Sequence, residues 1–116
     1  MKKQVNGFHI IAELHGCPTA KLERAETVKK ILLSAAKYAN FVVVGNTFHQ
    51  FKPRGATGIV LLASSHISAH TWPEHNYVAL DVYSCDGREK AKKATEFCIK
   101  AFKAKKFEVR EIKRFR

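Results

Sequence analysis

The chain has 116 residues, 46% of them hydrophobic, with 21 Lys and Arg against 10 Asp and Glu for a formal net charge of +11. That length suits one domain spanning residues 1–116 and is too short for two ordinary ones. There is no apolar run of roughly 18 or more residues, which argues against a transmembrane helix and a membrane partner.

The Lys2-Lys3 start leads into an apolar stretch broken by His9, Glu13 and His15. This is a poor signal peptide, and the expected compartment is the cytoplasm. The basic excess concentrates in residues 90–106 and in the tail Lys113-Arg114-Phe115-Arg116. Such a distribution fits a solvated helix face and a loose end as well as a nucleic-acid groove, so nucleic acid is not the primary expected partner. The three cysteines, Cys17, Cys85 and Cys98, form neither an even disulfide framework nor a CxxC pair.

Phe8–Leu14, between Gly7 and Gly16, reads as a first strand, followed by a turn at Cys17-Pro18-Thr19. From about Glu23 to Ala39, Val28, Ile31, Leu32, Ala35 and Ala39 recur at helical spacing, with Asn40 as the stop. Phe41–Val44 and Thr47–Phe51 read as a second strand with a bulge at Gly45-Asn46, followed by a loop at Pro53-Arg54-Gly55. Gly58–Ala63 is a short apolar run, as in a buried central strand.

His66–Trp72 and Tyr77–Cys85 both alternate, separated by Pro73. Asp86-Gly87 is a turn. A second helix covers about Arg88–Ala104, with Ala91, Ala94, Cys98, Ala101 and Phe102 as its buried stripe. Phe107–Ile112 reads as a charged edge strand.

The order β-α-β-β-β-β-α-β with short connections predicts an α+β two-layer sandwich. Its sheet is largely antiparallel, and two helices cover one face. His66, Ser68, His70 and Trp72 fall on the uncovered face, joined by Asp81 and Cys85 if the register allows. That face either meets water or packs against another copy.

Ser64–Cys85 gathers four serines, three histidines, a Trp-Pro-Glu turn and a cysteine. Zinc on His66, His70, His75 and Cys85 is chemically conceivable. However, positions four apart on a strand are about 13 Å apart, too far to share one ion. A Ser-His hydrolase centred on Ser65 lacks both a GxSxG elbow and an identifiable acid. Taken singly, the histidines and Trp72 also fit ordinary strand and core roles.

Three segments together resemble the prokaryotic S-adenosylmethionine decarboxylase proenzymes. They are Thr57-Gly58-Ile59-Val60, the run from Ser65-His66 through His70-Thr71-Trp72-Pro73-Glu74, and Leu80-Asp81-Val82-Tyr83-Ser84-Cys85. Glu13-Leu14-His15-Gly16-Cys17 and Glu111-Ile112-Lys113-Arg114 extend the likeness over nearly the whole chain.

The resemblance implies self-cleavage between Ser64 and Ser65 into chains 1–64 and 65–116, with Ser65 becoming a pyruvoyl group. That group is the cofactor, and neither metal nor pyridoxal phosphate is implied. His70 matches the base that assists elimination, Thr57 a hydroxyl implicated in processing, and Cys85 the proton donor. Phe51, Trp72 and Glu74 match positions around the nucleoside of the substrate. The implied reaction is decarboxylation of S-adenosylmethionine to the aminopropyl donor for spermidine, in a homodimer joined through its sheets.

One departure is Ser64, where the family usually has Glu. The acyl shift uses only the carbonyl of that residue, so cleavage remains chemically available. A pyruvoyl-dependent arginine or ornithine decarboxylase of the same family, or a non-catalytic basic RNA-binding module, are the alternatives.

Overall fold

A computed structural model describes residues 5–115. Lys2, Lys3 and Arg116, which enter the reading of the N-terminus and of the basic tail, lie outside the described residues. The strands are β1 (Gly7–His15), β2 (Val43–Gln50), β3 (Ala56–Leu62), β4 (His66–Trp72), β5 (Tyr77–Ser84) and β6 (Lys106–Arg114). Helix α1 (Ala25–Tyr38) follows β1 and helix α2 (Arg88–Ala101) follows β5, as the sequence pattern predicts. Short 3-10 turns at Thr19–Lys21 and Pro73–His75 complete the described elements.

The strands form one sheet in the order β2-β3-β4-β5-β1-β6, and every neighbouring pair is antiparallel. Both helices lie on one side. Ile10, Ala12 and Leu14 of β1, Ile67 and Ala69 of β4, and Val78, Leu80 and Val82 of β5 point toward them. Val28, Leu32, Ala35 and Ala36 of α1 and Ala91, Ala94 and Cys98 of α2 meet that layer. The alanines let the helix backbones approach the sheet, and the period-2 inward positions give one continuous core.

Several boundaries differ from the sequence reading. Strand β2 carries the bulge expected near Gly45-Asn46, as a register shift against β3 between Val43 and Gly45, but it runs only from Val43 to Gln50 rather than from Phe41 to Phe51. Phe41 falls outside it, buried, with the Lys90 ammonium 5.4 Å above its ring. Strand β3 starts at Ala56 and takes Thr57 into the sheet. Lys113 and Arg114 continue β6 rather than forming a loose end, because β1 is long enough to pair with them. Asn40 does stop α1, adopting a left-handed conformation (φ 65°) that Asn tolerates better than most residues.

Gly58 shows why a side chain is missing at one point of β3. A Cβ there would lie 2.0 Å from the ring of Phe48, which folds over the glycine from β2. The aromatic ring fills the space that a side chain at residue 58 would otherwise occupy.

Candidate functional site on the open sheet face

The register fixes what the uncovered face carries. His66 and Ser68 of β4 lie opposite Tyr83 and Asp81 of β5, and His70 lies between Thr57 of β3 and Ala79 of β5. Trp72 pairs with Tyr77. On the far side of β5, His9 of β1 also pairs with Tyr83.

Two groups of candidate residues emerge, at opposite ends of β4. At the first, Ala63 and Ser64 form the tip of a tight hairpin between β3 and β4. The Leu62 N–H donates to the Ser65 carbonyl at 3.0 Å, and the Ser65 N–H to the Leu62 carbonyl at 3.4 Å. The Ser65 side chain is tucked in (residue exposure 9%), and its Oγ accepts the Cys85 backbone N–H at 3.0 Å. Cys85 itself is half-buried at the end of β5, with its thiol 3.9 Å from Asp86 Oδ1.

At the second end, the Thr57 hydroxyl lies 2.9 Å from His70 Nδ1. Phe51, Arg54, Thr57, His70, Trp72 and Glu74 line a cleft of ≈ 590 Å³ there. Trp72 is held between rings: it stacks on Tyr77 at 5.4 Å, and His70 lies 6.2 Å away. Tyr77 continues the row to His15 at 5.3 Å. The Tyr77 hydroxyl donates to Glu13, and burial together with that carboxylate pushes its pKa up to about 12. The outer side of Trp72 stays open to solvent.

The cleft's outer loop is held by backbone bonds from the Phe51 N–H to the Gly55 carbonyl at 2.8 Å and from the Gly55 N–H to the Glu23 carbonyl at 2.9 Å, and by the amide of one side chain. Gln50, the last residue of β2, accepts the Ala25 N–H at 2.6 Å and donates to the carbonyls of Glu23, Phe51 and Gly55 at 2.9, 2.9 and 3.0 Å. It thereby caps the first turn of α1 and closes the 51–55 loop. Gly55, at φ +108°, supplies the backbone turn that loop needs. Beneath it, the Thr71 hydroxyl accepts the Ala56 N–H at 2.9 Å and donates to the Leu22 carbonyl at 2.8 Å.

Ser65 and His70 are five residues apart on an extended strand, so about 17 Å separates them. Within one chain, Ser65 is brought together with Cys85, and Thr57 with His70, Phe51, Trp72 and Glu74. The two groups are not brought together. His75 sits on the 3-10 turn beyond Trp72, so the four zinc candidates of the sequence are likewise dispersed.

His9 was missed in the sequence. Its outward position was legible from the alternation of β1, but its neighbours required the β1–β5 pairing. His9 Nε2 lies 3.3 Å from Asp81 Oδ2, and its ring meets His66 and Tyr83 edge-on at 6.2 and 6.0 Å. Burial, reinforced by the neighbouring His9, lowers the pKa of His66, and Asp81 opposes the shift.

Fold and site together define the class: a two-layer α+β sandwich whose serine, thiol, histidines and aromatic cleft are displayed on the bare side of the sheet. The S-adenosylmethionine decarboxylase family model matches residues 8–115. The S-adenosylmethionine decarboxylase proenzyme of Sulfurihydrogenibium sp. is 52% identical over 102 residues, covering 88% of this chain and 77% of that one. The proenzyme of Persephonella marina is 47% identical over 108 residues, covering 93% and 81%. The crystal structure of the Aquifex aeolicus adenosylmethionine decarboxylase superposes with a TM-score of 0.91 at 41% identity, covering 97% of this chain and 92% of that one. The chain belongs to the S-adenosylmethionine decarboxylase family.

Proposed function

We propose that this chain cleaves itself before Ser65 and then decarboxylates S-adenosylmethionine, using the pyruvoyl group that Ser65 becomes. The observation that carries the reading is the Ser65 hydroxyl at a tight hairpin tip, with the Cys85 N–H directed at its oxygen at 3.0 Å. An N–H aimed at Oγ favours the negative charge that oxygen takes on as it loses its proton, before it attacks the Ser64 carbonyl. The attack exchanges the 64–65 peptide for an ester and frees the Ser65 nitrogen. Removal of the residue 65 Cα proton then expels Ser64 as a carboxylate, giving chain 1–64. Water displaces ammonia from the resulting dehydroalanine at the head of chain 65–116. Neither metal nor pyridoxal phosphate enters these steps.

The residues around Ser65 fit the group it would become. Residue 65 stays beside Cys85, whose thiol is the one cysteine side chain not buried in the core and can return a proton to the substrate α-carbon. When bound to the substrate amine, a pyruvoyl carbonyl supplies an electron sink for the pair released with carbon dioxide. Phe51 and Trp72 offer aromatic faces to adenine and to the sulfonium cation, and Glu74 offers a carboxylate to the ribose. Against a net charge of +11, such local groups must provide the attraction for a cationic substrate.

The separation of Ser65 from His70 supports a homodimer with composite sites. A two-fold axis lying between two stacked sheets and running across the strands sets β4 against the partner's β4 in the opposite direction. The Ser65–Cys85 end of one chain then faces the Thr57–His70 end of the other, across the usual sheet spacing of about 10 Å. Ser68 lies midway along β4, where such an axis would pass.

Intact mass under denaturing conditions tests cleavage. Chains 1–64 and 65–116, the second blocked at its N-terminus, are expected in place of a single 13.1 kDa species. Processed protein should release carbon dioxide from S-adenosylmethionine and not from arginine or ornithine. An uncleaved chain that releases none from any of the three overturns the reading. Mixing Ser65→Ala and His70→Ala chains tests the composite site. Each alone is inactive, and random exchange restores about one quarter of wild-type activity if the site spans two chains. No recovery, despite measured subunit exchange, places the site within one chain.

A further inference from the structure

We infer that His9, His66 and Asp81 form a binding site for a transition-metal dication of the zinc type, separate from the residues proposed for the decarboxylation. The three side chains come from β1, β4 and β5, adjacent hydrogen-bonded strands, and all stand on the open face. His9 and His66 both pair with Tyr83, one on each side of β5, and Asp81 lies two residues along that strand. The sheet backbone therefore sets their spacing.

That spacing suits a small tetrahedral ion. Ligands about 2.05 Å from a tetrahedral zinc are about 3.3 Å from one another. His9 Nε2 and Asp81 Oδ2 are already 3.3 Å apart. One ligand atom from each of the three residues lies within 4.8 Å of the other two, and a modest side-chain rotation of His66 closes the remainder. Two imidazoles and one carboxylate are a donor set for zinc, iron, cobalt or nickel. Calcium and magnesium, which prefer oxygen ligands throughout, are poorly served.

The surroundings favour order. Tyr83 stacks on the His66 ring at 5.9 Å with a 24° tilt and receives His9 edge-on, so both imidazoles rest against one fixed phenol. Arg114 sits over the same Tyr83 ring at 5.8 Å. The site opens into a cavity of ≈ 430 Å³ shared with Ser64 and Ser65, leaving room for a water molecule as a fourth ligand. A plain His9–Asp81 hydrogen bond accounts for two of these residues and not for the third.

The test uses the full chain after chelation and dialysis, with Co²⁺ as a visible probe and Zn²⁺ as its competitor. One equivalent of Co²⁺ per chain, with the intense visible absorption of tetrahedral cobalt and displacement by Zn²⁺, is expected. His9→Ala, His66→Ala and Asp81→Asn should each weaken binding about 100-fold or more, since even residues behind the ligands often cost 10- to 100-fold. His75→Ala, on the turn beyond Trp72, should leave binding unchanged. Thermal melts establish that each variant folds, and Asp81→Asn keeps the shape of the side chain it replaces. Absence of stoichiometric binding to the wild-type chain overturns the assignment. Binding that persists in folded Asp81→Asn and in either histidine variant does the same.

Discussion

Replacing Gln50 with alanine should cost far more than its place at the end of a strand suggests. The side chain makes four hydrogen bonds, to Ala25 N–H and to the carbonyls of Glu23, Phe51 and Gly55. The bond to Phe51 is exposed, and water replaces it at little cost. The other three are partly buried, and each contributes about 0.5–1.5 kcal/mol net. One of them also caps the first turn of α1, where Arg24 at the N-cap offers no side-chain bond. A loss of about 3 kcal/mol follows, which lowers the melting temperature by roughly 10 °C in a domain of this size. Urea unfolding of Gln50→Ala and Gln50→Glu measures it. The glutamate variant keeps the acceptor but turns a carboxylate toward three carbonyls, so it should be the worse of the two. Because the 51–55 loop forms one wall of the cleft, the KM for S-adenosylmethionine should rise while the mass-detected cleavage at residue 65 proceeds normally. A loss below about 0.5 kcal/mol for the alanine variant would show that the loop holds itself without this amide.

Two further outcomes follow from the titrating groups. Burial pushes the Cys17 thiol up to about 11 and the Cys98 thiol up to about 12, whereas Cys85 is partly exposed. Iodoacetamide at pH 8 should therefore label one cysteine in the native chain and three in urea. Native labelling that survives Cys85→Ser refutes the burial argument. Burial, with His9 beside it, holds the folded pKa of His66 below its ordinary value of about 6.5, so the neutral ring is the form that folding favours. Its contribution to stability is complete above about pH 6.5 and declines as pH falls through that value toward the lower folded pKa. Urea midpoints measured in chelator at pH 7.5 and pH 5.5 should fall less for His66→Gln than for the wild type. Equal pH slopes would remove His66 as a cause.

The sequence by itself determined the element order, the covered face and the chemical inventory. Periods of 2 and 3.6 are local consequences of backbone geometry, so β4 and β5 could be read with the correct inward residues, and α1 and α2 with their buried stripes. The signature from Ser65 to Glu74 likewise lies within one stretch of chain, which is why the family was legible.

What tertiary structure alone decided is which of those residues meet. Gln50 looks like an unremarkable strand end until Glu23 and Ala25 arrive beside it from more than 20 residues away. His9 gains its neighbours only when β1 pairs with β5, some 70 residues away in sequence, with the His9–Tyr83 register setting which face it shares. Ser65 and His70, close in sequence, are driven apart because an extended strand adds about 3.4 Å per residue. Strand pairing is a long-range choice, made by burying the inward side chains of β1, β3, β4 and β5 at once. No local pattern encodes its outcome on the opposite face.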